Sequence, residues 1–289
     1  MQREGPSSML QNEFASGKDE AKMSVVATGY TLAFVQKHLP TPCTRILEIG
    51  SGEGALARAL VALGYELVAI EANAETADAT RKLGVITHNA QWPDFEVEAE
   101  SFDAVLFTRS LHHIRPVHEA LRHARTALRS GGRVLIEDFA YDAAGARELA
   151  WFAGMMRLLL ATGTMANDES WMPALARSAE PLSVWRAEHD HDLQTSATMF
   201  RFADQVFGNV KPASAAYFFR YLQEALLRSE ERPDLVAAFL QMEEAMIAAN
   251  VIAPLGRRMV AEKIERSVFT KSRSEYDSPS FEPTFGFGI

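Results

Sequence analysis

The sequence predicts a doubly wound α/β fold, in which helices cover both faces of a mostly parallel sheet. Two observations predict this class. Short apolar runs alternate with helical patterns from residue 45 to residue 137, and this alternation is typical of βαβ units. The first run, Arg45 to Ile49, also leads into a turn with glycines at Gly50, Gly52 and Gly54. A turn of this kind lies in the crevice at the carboxyl end of a strand, where open α/β sheets bind ligands.

The elements of the first half follow in order. A helical pattern from about Ser24 to Leu39 ends at Pro40 and Pro42, because proline cannot continue a helix. Asn73 can cap the helix after the second strand, and Ser130-Gly131-Gly132 breaks the helix before the fifth strand. The predicted strands are residues 45–49, 65–70, 85–88, 103–108 and 133–137, and the helices between them are residues 55–63, 73–83 and 116–128.

The alternation stops after residue 140. Helical patterns cover residues 143–188 and 194–207, a weak strand is expected at about Val206 to Lys211 before Pro212, and helices at about 215–228 and 233–249 precede a last strand from Arg257 to Ile264. This pattern predicts five segments. They are an N-terminal tail and lid helix (1–42), an α/β core that binds the ligand (43–142), a helical cap insertion (143–205), strands and helices that complete the core (206–270), and a flexible tail (271–289).

Composition excludes several classes of protein. A net charge of −9 over 289 residues argues against a general nucleic-acid binder, which needs a basic face. The single cysteine, Cys43, excludes an internal disulfide and a multi-cysteine metal site, and it indicates a reducing, cytoplasmic location. His189 and His191 alternate with acids that could bind a metal, but no third ligand is evident, so we expect no bound metal. The first residues contain no apolar signal segment, and no apolar run is long enough to span a membrane. The composition leaves a homodimer open.

The glycine turn alone does not identify its ligand. Gly50 to Ala55 also satisfies the G-x-G-x-x-G/A dinucleotide pattern, and Glu71 lies where a ribose-binding acid is expected. Glu48, two residues before the first glycine, separates the two interpretations. A carboxylate there would face a pyrophosphate badly, but it suits a cationic amino group.

Three segments together resemble one family. Leu47-Glu48-Ile49-Gly50-Ser51-Gly52-Glu53-Gly54 resembles motif I of class I S-adenosylmethionine (SAM) dependent methyltransferases. Residues 101–107, followed by Leu111-His112-His113-Ile114, resemble the fourth-strand signature of the ubiquinone-biosynthesis-type subgroup (methyltransferase type 11). Residues 127–136 resemble that family's entry to strand five, with Ser130 in place of the usual proline. The resemblance covers about residues 24–140.

The resemblance implies a seven-stranded Rossmann-like sheet in the order 3-2-1-4-5-7-6, with SAM as cofactor. Glu48 would lie near the amino acid end of SAM and Glu71 would hold the ribose hydroxyls. Asn89 stands where the family often has an aspartate for the adenine amino group, and its carbonyl can still accept that hydrogen bond. The expected cofactor-binding residues are Glu48, Gly50, Ser51, Gly52, Gly54, Glu71, Ala72, Asn89, Ala90, Thr108 and Tyr30.

The residues that would act on a substrate are harder to select. His113 and His112 follow the fourth strand at the rim of the cofactor site, so either could be a general base, or the pair could simply begin the next helix. His189 is a third candidate base within a polar stretch that also reads as a loop between helices. The substrate candidates are His191, Trp185, Tyr217 and Arg220, for which core packing is the alternative role.

The function that follows is transfer of a methyl group from SAM to an oxygen or nitrogen, less readily a carbon, of a small molecule. The size of the cap and the acidic charge favour a small substrate, with no nucleic-acid or membrane partner. The alternatives are methylation of a protein or RNA, a non-catalytic SAM-binding protein of this fold, and an NAD dehydrogenase. Titration with SAM, its demethylated product and NAD would separate these alternatives.

Overall fold

A computed structural model describes residues 25–190, 192–226 and 232–264, without the side chains of residues 223 and 224. Among these residues, a seven-stranded sheet has the order β3-β2-β1-β4-β5-β7-β6. Strands β1 to β5 pair in parallel, and β7 runs antiparallel to both β5 and β6. The strands are β1 Arg45–Ile49, β2 Glu66–Glu71, β3 Ile86–Asn89, β4 Phe102–Thr108, β5 Leu128–Phe139, β6 Lys211–Ala215 and β7 Gly256–Glu262. The predicted fold class and strand order are confirmed.

Ten helices accompany the sheet within the described ranges. They are α1 Val25–His38, α2 Ala55–Ala62, α3 Ala74–Lys82, α4 Val117–Ala127, α5 Ala146–Ala161, α6 Trp171–Arg177, α7 Pro181–His189, α8 Ser196–Phe207, α9 Phe218–Leu226 and α10 Pro233–Ala248, with short 3₁₀ turns at Leu111–His113 and Tyr141–Ala143. The Asn73 side chain caps α3 by accepting a hydrogen bond from the Thr76 amide, as the sequence predicts. None of the described helices has the length and apolarity to cross a membrane.

The centre of the sheet is apolar on both faces. Almost every residue of β1 and β4 is buried, because helices cover both sides of the parallel strands. Strand β4 is the middle member of the seven, so its carboxyl end and those of β1 and β5 lie together at one edge of the sheet. Side chains at this edge form the candidate site.

The predicted strand at Val206 to Lys211 is wrong in position. Helix α8 continues to Phe207 and ends at Gly208, which has a φ of 73°, a conformation that favours glycine at a helix C-terminus. Strand β6 begins only at Lys211 and includes Pro212. Proline is tolerated there because β6 is an edge strand that pairs with β7 alone. The missing N–H group of Pro212 therefore removes no hydrogen bond to a second neighbouring strand.

A helical layer covers the carboxyl edge of the sheet. Helices α5, α6 and α7 follow β5, while α9 and α10 lie between β6 and β7. Apolar residues of both groups form one core that includes Phe139 at the end of β5. The chain thus builds the layer from two separate insertions. The five-segment division, which assigns α9 and α10 to the core, stays a prediction, and its tails at 1–24 and 271–289 lie outside the described residues.

Candidate active site

The turn after β1 requires glycine at three positions. The backbone is left-handed at Gly50, Gly52 and Gly54, with φ between 54° and 80°, a region that side chains disfavour. A Cβ at Gly50 would lie 2.4 Å from the Ser110 Cβ, and one at Gly54 would lie 2.6 Å from the Thr80 Cγ2. A Cβ at Gly52 would meet nothing within 4 Å. Gly50 and Gly54 therefore serve protein packing, whereas Gly52 borders open space.

Glu71 ties the end of β2 to this turn. Its Oε2 accepts a hydrogen bond from the Gly52 amide at 2.9 Å, and its Oε1 accepts one from the Asn73 amide at 2.9 Å. Each carboxylate oxygen keeps a second lone pair, so a diol above the turn can still donate to Glu71. The neighbouring Asn89 uses its Nδ2 to donate to the carbonyl oxygens of Glu71 and Ala72. These two bonds leave the Asn89 Oδ1 as an acceptor for a ligand.

Glu48 lies beneath the turn and is 1% exposed. Its Oε1 accepts a hydrogen bond from the Thr108 hydroxyl at 3.1 Å, whereas its Oε2 is buried without a partner. Burial raises the pKa of Glu48 to about 8, and the charge of Glu71 acts in the same direction, while the Thr108 hydrogen bond and the charge of Arg109 oppose the rise. An unpaired buried carboxyl oxygen is costly. A ligand with a cationic amino group would provide the missing partner.

A histidine and an aspartate meet at the ends of β4 and β5. His112 Nδ1 lies 2.7 Å from Asp138 Oδ1, and the His112 amide donates to Asp138 Oδ2 at 3.2 Å. The Asp138 side chain is fully buried and the His112 side chain is 7% exposed. With Nδ1 facing the carboxylate, the ring has Nε2 as its other nitrogen for proton transfer. Sequence reasoning selected His112 but missed Asp138, although the pair Glu137-Asp138 closes an apolar strand next to the one that leads to His112.

Aromatic rings line this part of the site. Tyr217 is buried and stacks on Phe139 at 4.5 Å between ring centroids, and Phe139 meets the His112 ring edge-on. His113 is exposed beside His112, with 4.0 Å between their ring centroids. The structure therefore brings together His112, His113 and Tyr217.

A second cluster surrounds Glu137, the residue before Asp138. Glu137 Oε2 accepts hydrogen bonds from Thr31 Oγ1 at 2.5 Å and from Arg220 Nη2 at 2.8 Å, and Glu137 Oε1 accepts two from Arg258. Burial acts to raise the pKa of Glu137, but the charges of Arg220 and Arg258 and the Thr31 hydrogen bond hold it below its ordinary value. The ring of Tyr30 lies over the Arg258 guanidinium at 4.3 Å. Arg220 and Tyr30, predicted to contact substrate and cofactor, lie together at the end of β5.

The structure places two other candidates inside the helical layer. Trp185 is 1% exposed and donates from Nε1 to the Tyr141 carbonyl at 3.0 Å. His189 stacks on Trp185, and its two ring nitrogens lie within hydrogen-bond distance of the Trp185 carbonyl and the Tyr221 hydroxyl. These contacts belong to core packing, so they give no support to a substrate or catalytic role. His191 lies outside the described residues. Within the described ranges, no three His, Cys, Asp or Glu side chains form a metal-binding group.

The part of the site at the carboxyl end of β1 fits a ligand that has a cationic amino group and a diol but no phosphate. Glu48 offers an unpaired buried acceptor and Glu71 offers a second acidic group. The space over Gly52 lets the ligand lie close to the backbone.

Comparisons with known proteins address the family and the fold. The sequence profile described as "Methyltransferase domain" matches residues 11–195. No curated protein matches the chain. Among solved structures, phosphoethanolamine N-methyltransferase 2 from Haemonchus contortus, in complex with SAM, has a TM-score of 0.53 at 16% identity. The alignment covers 82% of this chain and 53% of the Haemonchus enzyme, so this chain spans about half the length of that protein.

Two further structures are similar over most of their length. The [4+2]-cyclase SpnF has a TM-score of 0.52 at 13% identity, with 86% of each chain covered. A geranyl diphosphate C-methyltransferase from Streptomyces coelicolor A3(2) has a TM-score of 0.50 at 12% identity, with 82% of this chain and 77% of that chain covered. At such identities the likeness shows the shared fold alone, and these proteins differ in the reactions that their names describe.

Proposed function

The chain belongs to the methyltransferase-domain family, and we propose that it is a SAM-dependent methyltransferase. On that premise, we propose that it transfers the methyl group to an oxygen or nitrogen atom of a small molecule, with His112 as general base. When bound, SAM supplies a methyl group activated by its sulfonium. The chain must bind the cofactor, align an acceptor atom with that methyl group, and remove the acceptor's proton where it carries one.

The residues around the glycine turn support cofactor binding. Glu48 would accept from the ammonium, Glu71 would accept from the ribose hydroxyls, and Asn89 Oδ1 would accept from the adenine amino group. Gly52 would leave room for the cofactor against the backbone, since nothing lies within 4 Å of its added Cβ. These roles need no phosphate-binding group, which supports SAM over the dinucleotide alternative.

The contact between His112 and Asp138 is the observation that carries the proposal for an oxygen or nitrogen acceptor. A base is needed only when the nucleophile arrives protonated. A carboxylate at 2.7 Å from Nδ1 fixes the ring orientation and stabilises the imidazolium that forms when Nε2 takes a proton, as in other aspartate–histidine pairs. The buried position of both side chains holds this geometry without competition from water.

The surroundings of the pair support a small substrate. Tyr217 and Phe139 and the helical layer cover this edge of the sheet. The basic surface groove lined by His118, Arg122, Arg125 and Lys263 also contains Glu100, which precedes β4. Glu100 places one end of that groove near the amino end of β4, whereas His112 follows its carboxyl end.

The experiment is an assay of S-adenosylhomocysteine (SAH) formation with a panel of small phenols, hydroxy acids and amines. We expect turnover with at least one oxygen or nitrogen acceptor, and a loss of at least 100-fold in kcat for His112→Asn, in the range typical of general bases. SAH affinity should stay unchanged. His118→Asn, a matched change in the first turn of α4, should retain activity. Turnover of carbon acceptors only, or full kcat in His112→Asn, would contradict the proposal.

A further inference from the structure

The cluster at the end of β5 contains more positive than negative charge. Glu137 forms ion pairs with two guanidinium groups. Its carboxylate oxygens lie 2.8 Å from Arg220 Nη2 and 2.5 Å from Arg258 Nη2. All three side chains are largely or fully buried. One carboxylate neutralises only one of the two arginines, so the cluster retains one positive charge in a region of low dielectric, where it acts strongly on its surroundings.

The unpaired hydrogen-bond donors of the cluster belong to Arg220. Its side chain is 6% exposed, and its Nε and Nη1 are buried without a hydrogen-bond partner. The guanidinium lies 5.0 Å from the ring centroid of Phe219 and 5.8 Å from those of Tyr30 and Tyr217. Aromatic faces stabilise a cation, but they leave the in-plane N–H groups without acceptors.

Arg109 adds a further positive charge beside the cluster of Glu137, Arg220 and Arg258. It is exposed, directly follows β4 and has a φ of 60°, which is uncommon for a residue other than glycine. The described part of the chain offers its side chain no ion pair. The charge of Arg109 lowers the pKa of Glu48, and it also opposes the burial that raises the pKa of Tyr217. The Arg109 amide donates to the Glu137 carbonyl oxygen at 2.6 Å, which places Arg109 beside β5.

The nearby acids are already engaged. Asp138 accepts from His112 and from the Phe139 amide. Glu243 accepts from the backbone amides of residues 217, 218 and 219, and burial raises its pKa. Glu48 is also held towards its neutral form by burial, with a pKa of about 8. No acid among these side chains is placed to neutralise Arg109.

We propose that Arg109 binds an anionic group of the substrate, a carboxylate or phosphate, and that Arg220 strengthens this binding with its uncompensated charge from beneath. The inference rests on the proposed function, because it names the substrate class of that same site. It makes the substrate an acid that carries a separate hydroxyl or amine for methylation. With the acid held at Arg109, the second group of the substrate can lie against His112, whose aspartate follows Glu137 directly in β5.

The cofactor is a second source of the same chemistry, since its amino acid portion also contains a carboxylate. The charge on Arg220 favours the substrate, because Arg220 lies at the end of β5 among Tyr30, Tyr217 and Phe219, whereas Glu48 lies at the end of β1. The experiment separates the two sources by comparing SAH with 5′-methylthioadenosine, which has the same adenosine group but no amino acid portion.

The test is calorimetry at low ionic strength with the wild type, Arg109→Gln and Arg157→Gln. Arg157 is an exposed residue on α5, so its variant matches the charge change without altering the site. Inorganic phosphate and benzoate are the anion probes, titrated into the SAH complex, with benzamide as the neutral analogue of benzoate. We expect phosphate or benzoate to bind and benzamide not to bind. Arg109→Gln should weaken the anion at least tenfold, and Arg157→Gln should leave it unchanged.

Three outcomes overturn the proposal. If neither anion binds the SAH complex, or if Arg109→Gln leaves anion binding unchanged, Arg109 is not an anion site for the substrate. If Arg109→Gln weakens SAH at least tenfold but does not affect 5′-methylthioadenosine, the anion belongs to the cofactor and the substrate assignment fails. Failure of the proposed function is a different result, in which the wild type does not bind SAH at all.

Discussion

Glu48→Gln tests whether the buried carboxyl beneath the glycine turn is neutral in the cofactor-free protein. The folded pKa is about 8 and the ordinary value is 4.5, so folding favours the protonated form. Stability from this group is therefore fully present below about pH 4.5 and is lost as the pH rises through about 8. Linkage between these values gives a loss on the order of 3 to 4 kcal/mol between pH 5 and pH 8.

The assay is urea unfolding of the wild type and Glu48→Gln across this pH range. Glutamine has nearly the same shape but does not titrate, so the difference between the two proteins isolates Glu48. We expect the unfolding free energy of the variant, relative to that of the wild type, to rise by several kcal/mol between pH 5 and pH 8. A difference that stays constant with pH would refute the reasoning, because it would mean that Glu48 titrates alike in both states.

The same group should couple cofactor binding to pH. If the ammonium of SAH pairs with ionised Glu48, binding must release the proton that Glu48 holds below its pKa of about 8. From pH 6 to pH 8 the ionised fraction rises about 50-fold, and SAH affinity should rise by a similar factor. In Glu48→Gln the affinity should be lower and nearly independent of pH. Equal pH dependence in the two proteins would contradict a contact between Glu48 and the ammonium.

Three further variants test other parts of the site. Glu71→Ala should weaken SAH more than tenfold, because it removes two hydroxyl contacts worth about 1 kcal/mol or more each; unchanged affinity in calorimetry would refute the ribose assignment. Gly52→Ala should fold at a cost of about 1 kcal/mol in unfolding free energy and lose SAH, since its methyl group would occupy open space over the turn; retained binding would place the cofactor elsewhere. Asp138→Asn should lower kcat at least tenfold without changing SAH affinity, and full activity would show that His112 needs no aspartate.

Local sequence patterns predicted most of the fold because each element of the first half has its own start, stop and burial signals in the sequence. Strand β1 is apolar and its turn is rich in glycine, and Asn73 begins α3 with a cap that the structure contains. The strand order came from the family resemblance. The position of β6 could not be predicted in this way. Its first four residues are exposed, so it has no apolar alternation, and Pro212 argues against a strand until its place at the sheet edge is known.

The candidate site was predictable only where its residues are close in sequence. Motif I contains Glu48 and the glycines within a few residues, and His112 follows β4 directly. Asp138 and the charge cluster were not predictable, because their partners come from distant elements. Glu137 meets Thr31 of α1, Arg220 of α9 and Arg258 of β7, and no local pattern links these positions. The residue types of α7 suggested a functional site that its contacts do not support. Trp185 and His189 instead pack in the core of the helical layer.

Calorimetric titration of the wild-type protein with SAM, SAH and NAD tests the central claim most directly. The glycine turn, Glu48 and Glu71 should bind SAM and SAH at one site per chain, and NAD should give no heat of binding. Competition between SAH and SAM for that site would agree with this account. Absence of binding by both SAM and SAH, or binding of NAD at the same turn, would contradict it.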